Sequence, residues 1–235
     1  MARRGLSPRT MGTGRRRVLP QISSVIATDE DVARGVEFLV AHEPRFASIV
    51  EKHGLPPVRR VENSLPSLLN IVTEQLISLK AAASIWQRVS ARLYPFEPAA
   101  ILLLEHFELK QLGLSGAKVR CFHAISEAVH SGKLDFRALE DMSDDAAHQA
   151  LISLPGIGPW TAHIYALVAL GRADVLASGD LALQIAAQDL FGLKARPRSK
   201  DFVALAEAWR PWRSVAARLL WSHYRGLKNL SQEVI

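Results

Sequence analysis

The stretch Leu154-Pro155-Gly156-Ile157-Gly158-Pro159-Trp160-Thr161-Ala162 decides how the rest of the sequence is read. It lies between an apolar helical segment ending near Ser153 and a second helix beginning at Pro159. Gly156 and Gly158 permit positive φ and a close backbone approach, and Pro159 suits a first helical turn because its missing N–H would be unpaired there. The expected product is a tight joint with exposed amides at a helix N-terminus, which favours anions. No nucleotide-binding strand precedes the joint, so a nucleic-acid phosphate is the natural ligand. A bare Gly-x-Gly would be only a turn.

Working outward, the pattern is helical nearly throughout from Thr28 onward, so the fold class is all-α. Thr28 and Asp31 form a capping-box pattern ahead of Val32, Val36 and Leu39. A short helix should start near Pro44 and stop at Gly54, before the Pro56-Pro57 linker. Leu68, Leu69 and Val72 make a buried stripe ending at Gln75, and Ile85, Val89 and Leu93 repeat the period in the next helix. Further helices are expected over 98–106, 116–131 and 144–153, with Ser115 and Ser143 as N-caps. After the joint they follow over 159–170, 181–191, 200–209 and 212–224.

About twenty residues past the joint, Val175-Leu176-Ala177-Ser178-Gly179-Asp180 leads into a helix. Read alone, Asp180 is a helix cap. A cap position is also one where the helix dipole favours a negative charge, so capping and electrostatic catalysis are compatible roles.

Of the 235 residues, 49% are apolar, enough for a substantial core. No apolar run reaches the roughly 18 residues of a membrane span. The formal charge is +6, yet Arg3, Arg4, Arg9, Arg15, Arg16 and Arg17 all precede the first acid, Asp29. The remaining 23 basic residues balance the 23 acidic ones, so DNA binding by the body would rest on local basic surface and backbone amides. Residues 1–27 read as a basic disordered arm, and 28–235 as the helical core with its gripping hairpin at 144–170. An organellar leader or an over-extended translation start is an alternative reading of the arm. One cysteine, Cys121, allows no internal disulfide and no multi-cysteine metal site.

The nine-residue joint followed at this distance by Asp180 resembles the helix-hairpin-helix (HhH-GPD) DNA glycosylase superfamily. Glu74-Gln75-Leu76-Ile77-Ser78, Trp209-Arg210-Pro211-Trp212-Arg213-Ser214 and Trp221 are similar to the alkylpurine branch, the AlkA-like 3-methyladenine DNA glycosylase II type. The resemblance spans about 63–227 and implies a two-lobed helical fold, here without an amino-terminal β domain. It implies Asp180 as catalytic carboxylate, Trp160 and Trp221 around the base pocket, and Leu76 as a wedge in the DNA stack beside Gln75. Gly156, Ile157, Gly158 and Thr161 would bind the DNA backbone. The carbonyls of Ile152, Leu154 and Ile157 would hold a monovalent sodium or potassium ion, with no other cofactor required.

Trp160 stands where bifunctional members carry a lysine, so water is the expected nucleophile and strand cleavage is not expected. Trp212 reads as core, with Arg213 facing a phosphate. Ser222 replaces an aromatic residue common in the branch, which would widen the pocket. The expected partners are damaged double-stranded DNA and a downstream abasic-site endonuclease, with the chain acting as a monomer without a membrane. It would work in a bacterial cytoplasm or a eukaryotic nucleus. Oxidised or deaminated purines on the same fold, or a non-enzymatic DNA-binding module, are the competing readings.

Overall fold

The computed structural model describes residues 25–229. Thirteen α-helices carry most of this length, and the one β-type pairing among the described residues is an isolated bridge between Val25 and Arg172. The chain opens with α1 (Asp29–His42), started by the expected capping box: Asp31 N–H donates to Thr28 Oγ1, and Thr28 N–H donates to Asp31 Oδ2. A 3-10 turn at Pro44–Phe46 runs into α2 (Ala47–His53), which ends at Gly54 as its positive φ of 74° requires.

The linker that follows leads into a contiguous set of eight helices: α3 (Leu65–Glu74), α4 (Leu79–Leu93), α5 (Pro98–Leu102), α6 (His106–Gln111), α7 (Gly116–His130), α8 (Phe136–Asp141), α9 (Asp144–Ile152) and α10 (Pro159–Val168). At their centre α7 packs against α3, α5 and α6, burying Val119, Phe122 and Ile125 against Leu68, Leu69 and Val72 of the predicted stripe. Ser115 and Ser143 cap α7 and α9 through the amides of Lys118 and Ala146. The helix expected over 98–106 stops at Leu102 as α5, and an unexpected helix, α6, starts at His106, where Glu105 begins its own capping box with Glu108. The reading also missed α8, whose six residues are too short for a periodic signal.

The chain then returns to α1 and α2 with α11 (Leu181–Leu190), α12 (Ser199–Ala206) and α13 (Arg213–Leu227). The helices form two lobes: α13 packs on α1, α2 and α11, while α3 to α10 form the other body. Phe46, Phe191, Phe202 and Trp209 make an aromatic cluster at the heart of the first lobe. Trp212 is buried as expected, its ring against Gly35, where a Cβ would approach it to 2.8 Å.

Buried arginines tie the lobes together. Arg218 on α13 donates to the carbonyls of Val58 and Leu167, and Arg172 gathers those of Leu139, Glu140 and Met142. The expected arm boundary at residue 27 is too late. Ile26 is fully buried and its N–H donates to the Gly171 carbonyl at 2.7 Å, so residues 25–27 belong to the body. Residues 1–24 and 230–235 lie outside the described part, and with them the arginines of the arm. Among the described residues no helix is long and apolar enough to cross a membrane.

Candidate active site

Asp180 is the N-cap of α11, where its Oδ1 accepts the Leu183 N–H at 3.0 Å. The turn before it is held by Gln184, which donates to the Ser178 carbonyl, and by the Asp180 N–H on the Ala177 carbonyl. Two indoles then converge on the carboxylate from other helices. Trp160 in the first turn of α10 donates to Oδ2 at 2.9 Å, and Trp221 on α13 donates to Oδ1 at 3.4 Å, a longer and weaker bond. Asp180 is thus oriented by three N–H donors drawn from three helices. Sequence reading placed both tryptophans around a base pocket but missed these bonds, since ring orientation leaves no mark on the pattern.

Between the lobes lies a cleft of about 460 Å³, a volume suited to a small organic ligand. Glu74 of α3, Trp86 of α4, Ile164 of α10, and Trp221 and Arg225 of α13 are among its lining residues. Trp160 is not; it borders Asp180 instead. Ser222 is buried and its hydroxyl accepts from Arg225, which brings that guanidinium to the cleft wall. Glu74, Trp86 and Arg225 were not recognised in the sequence as cleft residues. Glu74 stood in a quoted motif; Trp86 carried no signal.

At the junction of α3 and α4 the predicted wedge stands clear of the protein. Leu76 is 104% exposed and has φ +59°, a left-handed conformation unusual for leucine. Its neighbour Gln75 points the other way, donating to Thr161 Oγ1 at 2.8 Å and to the Gly156 carbonyl at 3.2 Å. The junction is therefore fastened to the hairpin.

In the hairpin Gly156 takes φ +88°, and a Cβ there would come within 2.7 Å of the Cys121 Cβ. Gly158 has φ −94° and caps α10, so only one of the two glycines uses positive φ. Of the expected backbone contacts, Ile157 must be corrected: its N–H already donates to the Leu154 carbonyl at 3.1 Å. The amides of Gly156, Gly158, Trp160 and Thr161 have no protein acceptor among the described residues. The Thr161 hydroxyl accepts from Gln75 and keeps its own proton to donate.

The carbonyls expected to hold a monovalent cation fit that group. No described N–H donates to Ile152 or Ile157 oxygen, and Leu154 oxygen keeps one lone pair beside its bond to Ile157. Neutral carbonyl oxygens suit a hard alkali cation.

One further expectation fails. Arg213 does not face a phosphate; its guanidinium is bound to Asp174 at 2.7 and 3.2 Å and to the Asp174 carbonyl at 2.8 Å. Asp189, on the helix that Asp180 caps, meets His223 Nε2 at 2.7 Å. Lysine is also absent from the cleft lining; Lys118 Nζ instead donates to the Thr73 carbonyl at the end of α3.

The profile of the HhH-GPD superfamily of base excision DNA repair proteins matches residues 69–212, a span containing the Gln75–Leu76 junction, the hairpin and Asp180. The chain belongs to that superfamily. Among relatives, the alkylbase DNA glycosidase-like protein mag2 of Schizosaccharomyces pombe is 25% identical over 203 residues, covering 83% of this chain and 95% of that protein. The probable bifunctional transcriptional activator/DNA repair enzyme AlkA of Mycobacterium tuberculosis is 30% identical over 206 residues, but these are only 40% of its length. A crystal structure of a DNA-3-methyladenine glycosidase from Bacillus halodurans superposes with a TM-score of 0.71 at 31% identity, covering 83% of this chain and 91% of that one. The HhH-GPD assignment accounts for the all-α, two-lobed architecture with the hairpin at the lobe boundary.

Proposed function

We propose that this chain is a monofunctional DNA glycosylase that hydrolyses the N-glycosidic bond of alkylated purines, 3-methyladenine and 7-methylguanine, in duplex DNA. The observation that carries the reading is Asp180, fixed by one amide and two indoles beside a cleft of suitable volume. The names of the relatives, alkylbase and 3-methyladenine glycosidases, support the same substrate class.

The open amides of the hairpin hold a backbone phosphate, and the Ile152, Leu154 and Ile157 carbonyls would hold a sodium or potassium ion whose charge assists that contact. Leu76 enters the stack where the damaged nucleotide has left it, and the base turns into the cleft against Trp221. As the bond from the sugar C1′ to the base nitrogen breaks, its electron pair leaves with the base, so a cationic alkylpurine departs neutral. Positive charge develops on the sugar, and the Asp180 carboxylate lowers its energy. Water adds to C1′ and its proton passes to Asp180, then to solvent. An abasic site remains for a separate endonuclease.

The test is base release from methylated duplex DNA by the purified protein without added divalent metal or cofactor. Free 3-methyladenine and 7-methylguanine should appear with the strand intact. Efficient borohydride trapping of a protein–DNA adduct would contradict the use of water. Release of oxidised or deaminated purines alone would move the substrate class, and DNA binding with no release from any lesion would leave a binding module.

A further inference from the structure

We infer that the Glu74 side chain is the group by which the cleft distinguishes a cationic purine from a neutral one of the same shape. The inference rests on the glycosylase reading for where the base goes, and on separate geometry for what it meets there.

Glu74 is the last residue of α3 and lies on the cleft wall, with Trp86 and Trp221 also in the lining. Its position is fixed through the next residue, Gln75, whose amide is bound to Thr161; Trp160, adjacent in the chain, holds Asp180. The acid and Asp180 therefore belong to one braced unit. Yet among the described residues Glu74 has no ion pair and one hydrogen bond, a long one from Asn70 Nδ2 at 3.4 Å.

The cations around it are engaged elsewhere. Arg60 donates to the Ala169 carbonyl, Arg218 to those of Val58 and Leu167, and Arg225 to the Ser222 hydroxyl. Lys118, behind the end of α3, donates to the Thr73 carbonyl. Arg59 also lines the cleft, from the linker. Burial without a counter-ion pushes the Glu74 carboxyl up to about 7.

An acid in this condition responds to the charge of what enters. A cationic alkylpurine supplies the missing counter-ion and draws Glu74 into its ionised form. A neutral purine supplies none and meets a neutral acid that can only share a hydrogen bond. Aromatic walls stack on both, so the carboxyl adds a discrimination that the rings alone lack. Because the ionised form is populated above the folded-state value, the preference for a cation should strengthen as pH rises through about 7.

The experiment measures tryptophan fluorescence of the full chain titrated with 7,9-dimethyladeninium, a purine fixed as a cation, and with neutral 9-methyladenine, at pH 6 and pH 8. The wild type should favour the cation by about tenfold or more at pH 8 and by several-fold less at pH 6. Glu74→Gln, which keeps shape and removes the charge, should show a small ratio that does not change with pH. A wild type without preference, or a variant that keeps both the ratio and its pH dependence, overturns the inference.

The same two proteins are then assayed on duplexes containing 7-methylguanine or hypoxanthine. Wild-type cation preference with no base release would sink the glycosylase reading and leave Glu74 as a charge reader. Normal release with a variant that affects both lesions equally and keeps the binding ratio would do the reverse.

Discussion

Two helix junctions meet beside Asp180, and they solve the same backbone problem in opposite ways. The hairpin between α9 and α10 turns through Gly156 at φ +88°, and the junction between α3 and α4 turns through Leu76 at φ +59°. Glycine enters that region without strain, whereas leucine does so at roughly 1–2 kcal/mol. The hairpin also needs glycine for space, since Cys121 stands where a side chain would go. The leucine side chain is fully exposed and contributes nothing to the core, so folding gives no return for the strain. A turn that presents backbone discards its side chain, and a turn that presents a side chain tolerates the backbone strain.

The comparison breaks hardest at the residue that belongs to neither junction. Asp180→Asn keeps size and much of the cap but removes the negative charge, so single-turnover excision should fall by about 100-fold or more while DNA binding persists. A normal excision rate would sink the proposed mechanism and shift the burden of function to the two turns. Next in size, Gly156→Ala should destabilise the fold by about 2–4 kcal/mol, from left-handed strain together with the clash at Cys121. Chemical denaturation measures this, and an unchanged midpoint would mean that the hairpin does not need glycine.

Leu76→Asn should do the opposite. Asparagine tolerates the left-handed region, so stability should hold or rise by up to about 1 kcal/mol, while excision drops by about tenfold because the wedge is gone. Loss of both stability and activity would show that Leu76 is a packing residue. Gln75→Ala, which unfastens the junction from the hairpin, should lower stability by about 1 kcal/mol in a thermal melt. The smallest change is expected for Asp189→Asn on the helix that Asp180 caps. The aspartate is half exposed in its pair with the buried His223, which contributes about 0.5 kcal/mol, and excision should stay close to wild type.

Legibility in the sequence followed the range of the interaction. The Thr28 box, the Ser115 and Ser143 caps and the turn at Gly54 act within four residues, and each stood where the pattern put it. The exposure of Leu76 followed from its place between two helical stripes. The indole bonds to Asp180 cross 20 and 41 residues of chain and depend on side-chain rotation. The capture of Arg213 by Asp174 crosses 39 residues and was misread as availability for DNA. Glu74 shows the same limit: its identity was plain, but its want of a counter-ion depends on what other helices bring to the cleft. Short α8 and the break between α5 and α6 escaped because too few residues were present to display a period.

The path of the chain through the two lobes bears on its birth at the ribosome. Helices α3 to α10 are contiguous and can assemble as they emerge, whereas α1 and α2, though made earlier, must wait for α13 before their own lobe closes. Trp221 arrives with that last helix, and with it one of the indoles on Asp180 and the far side of the cleft. A nascent chain halted near residue 212 therefore carries a complete hairpin but an unfinished cleft. On the proposed reading it would hold DNA without the wall that receives a base, and excision would wait for α13.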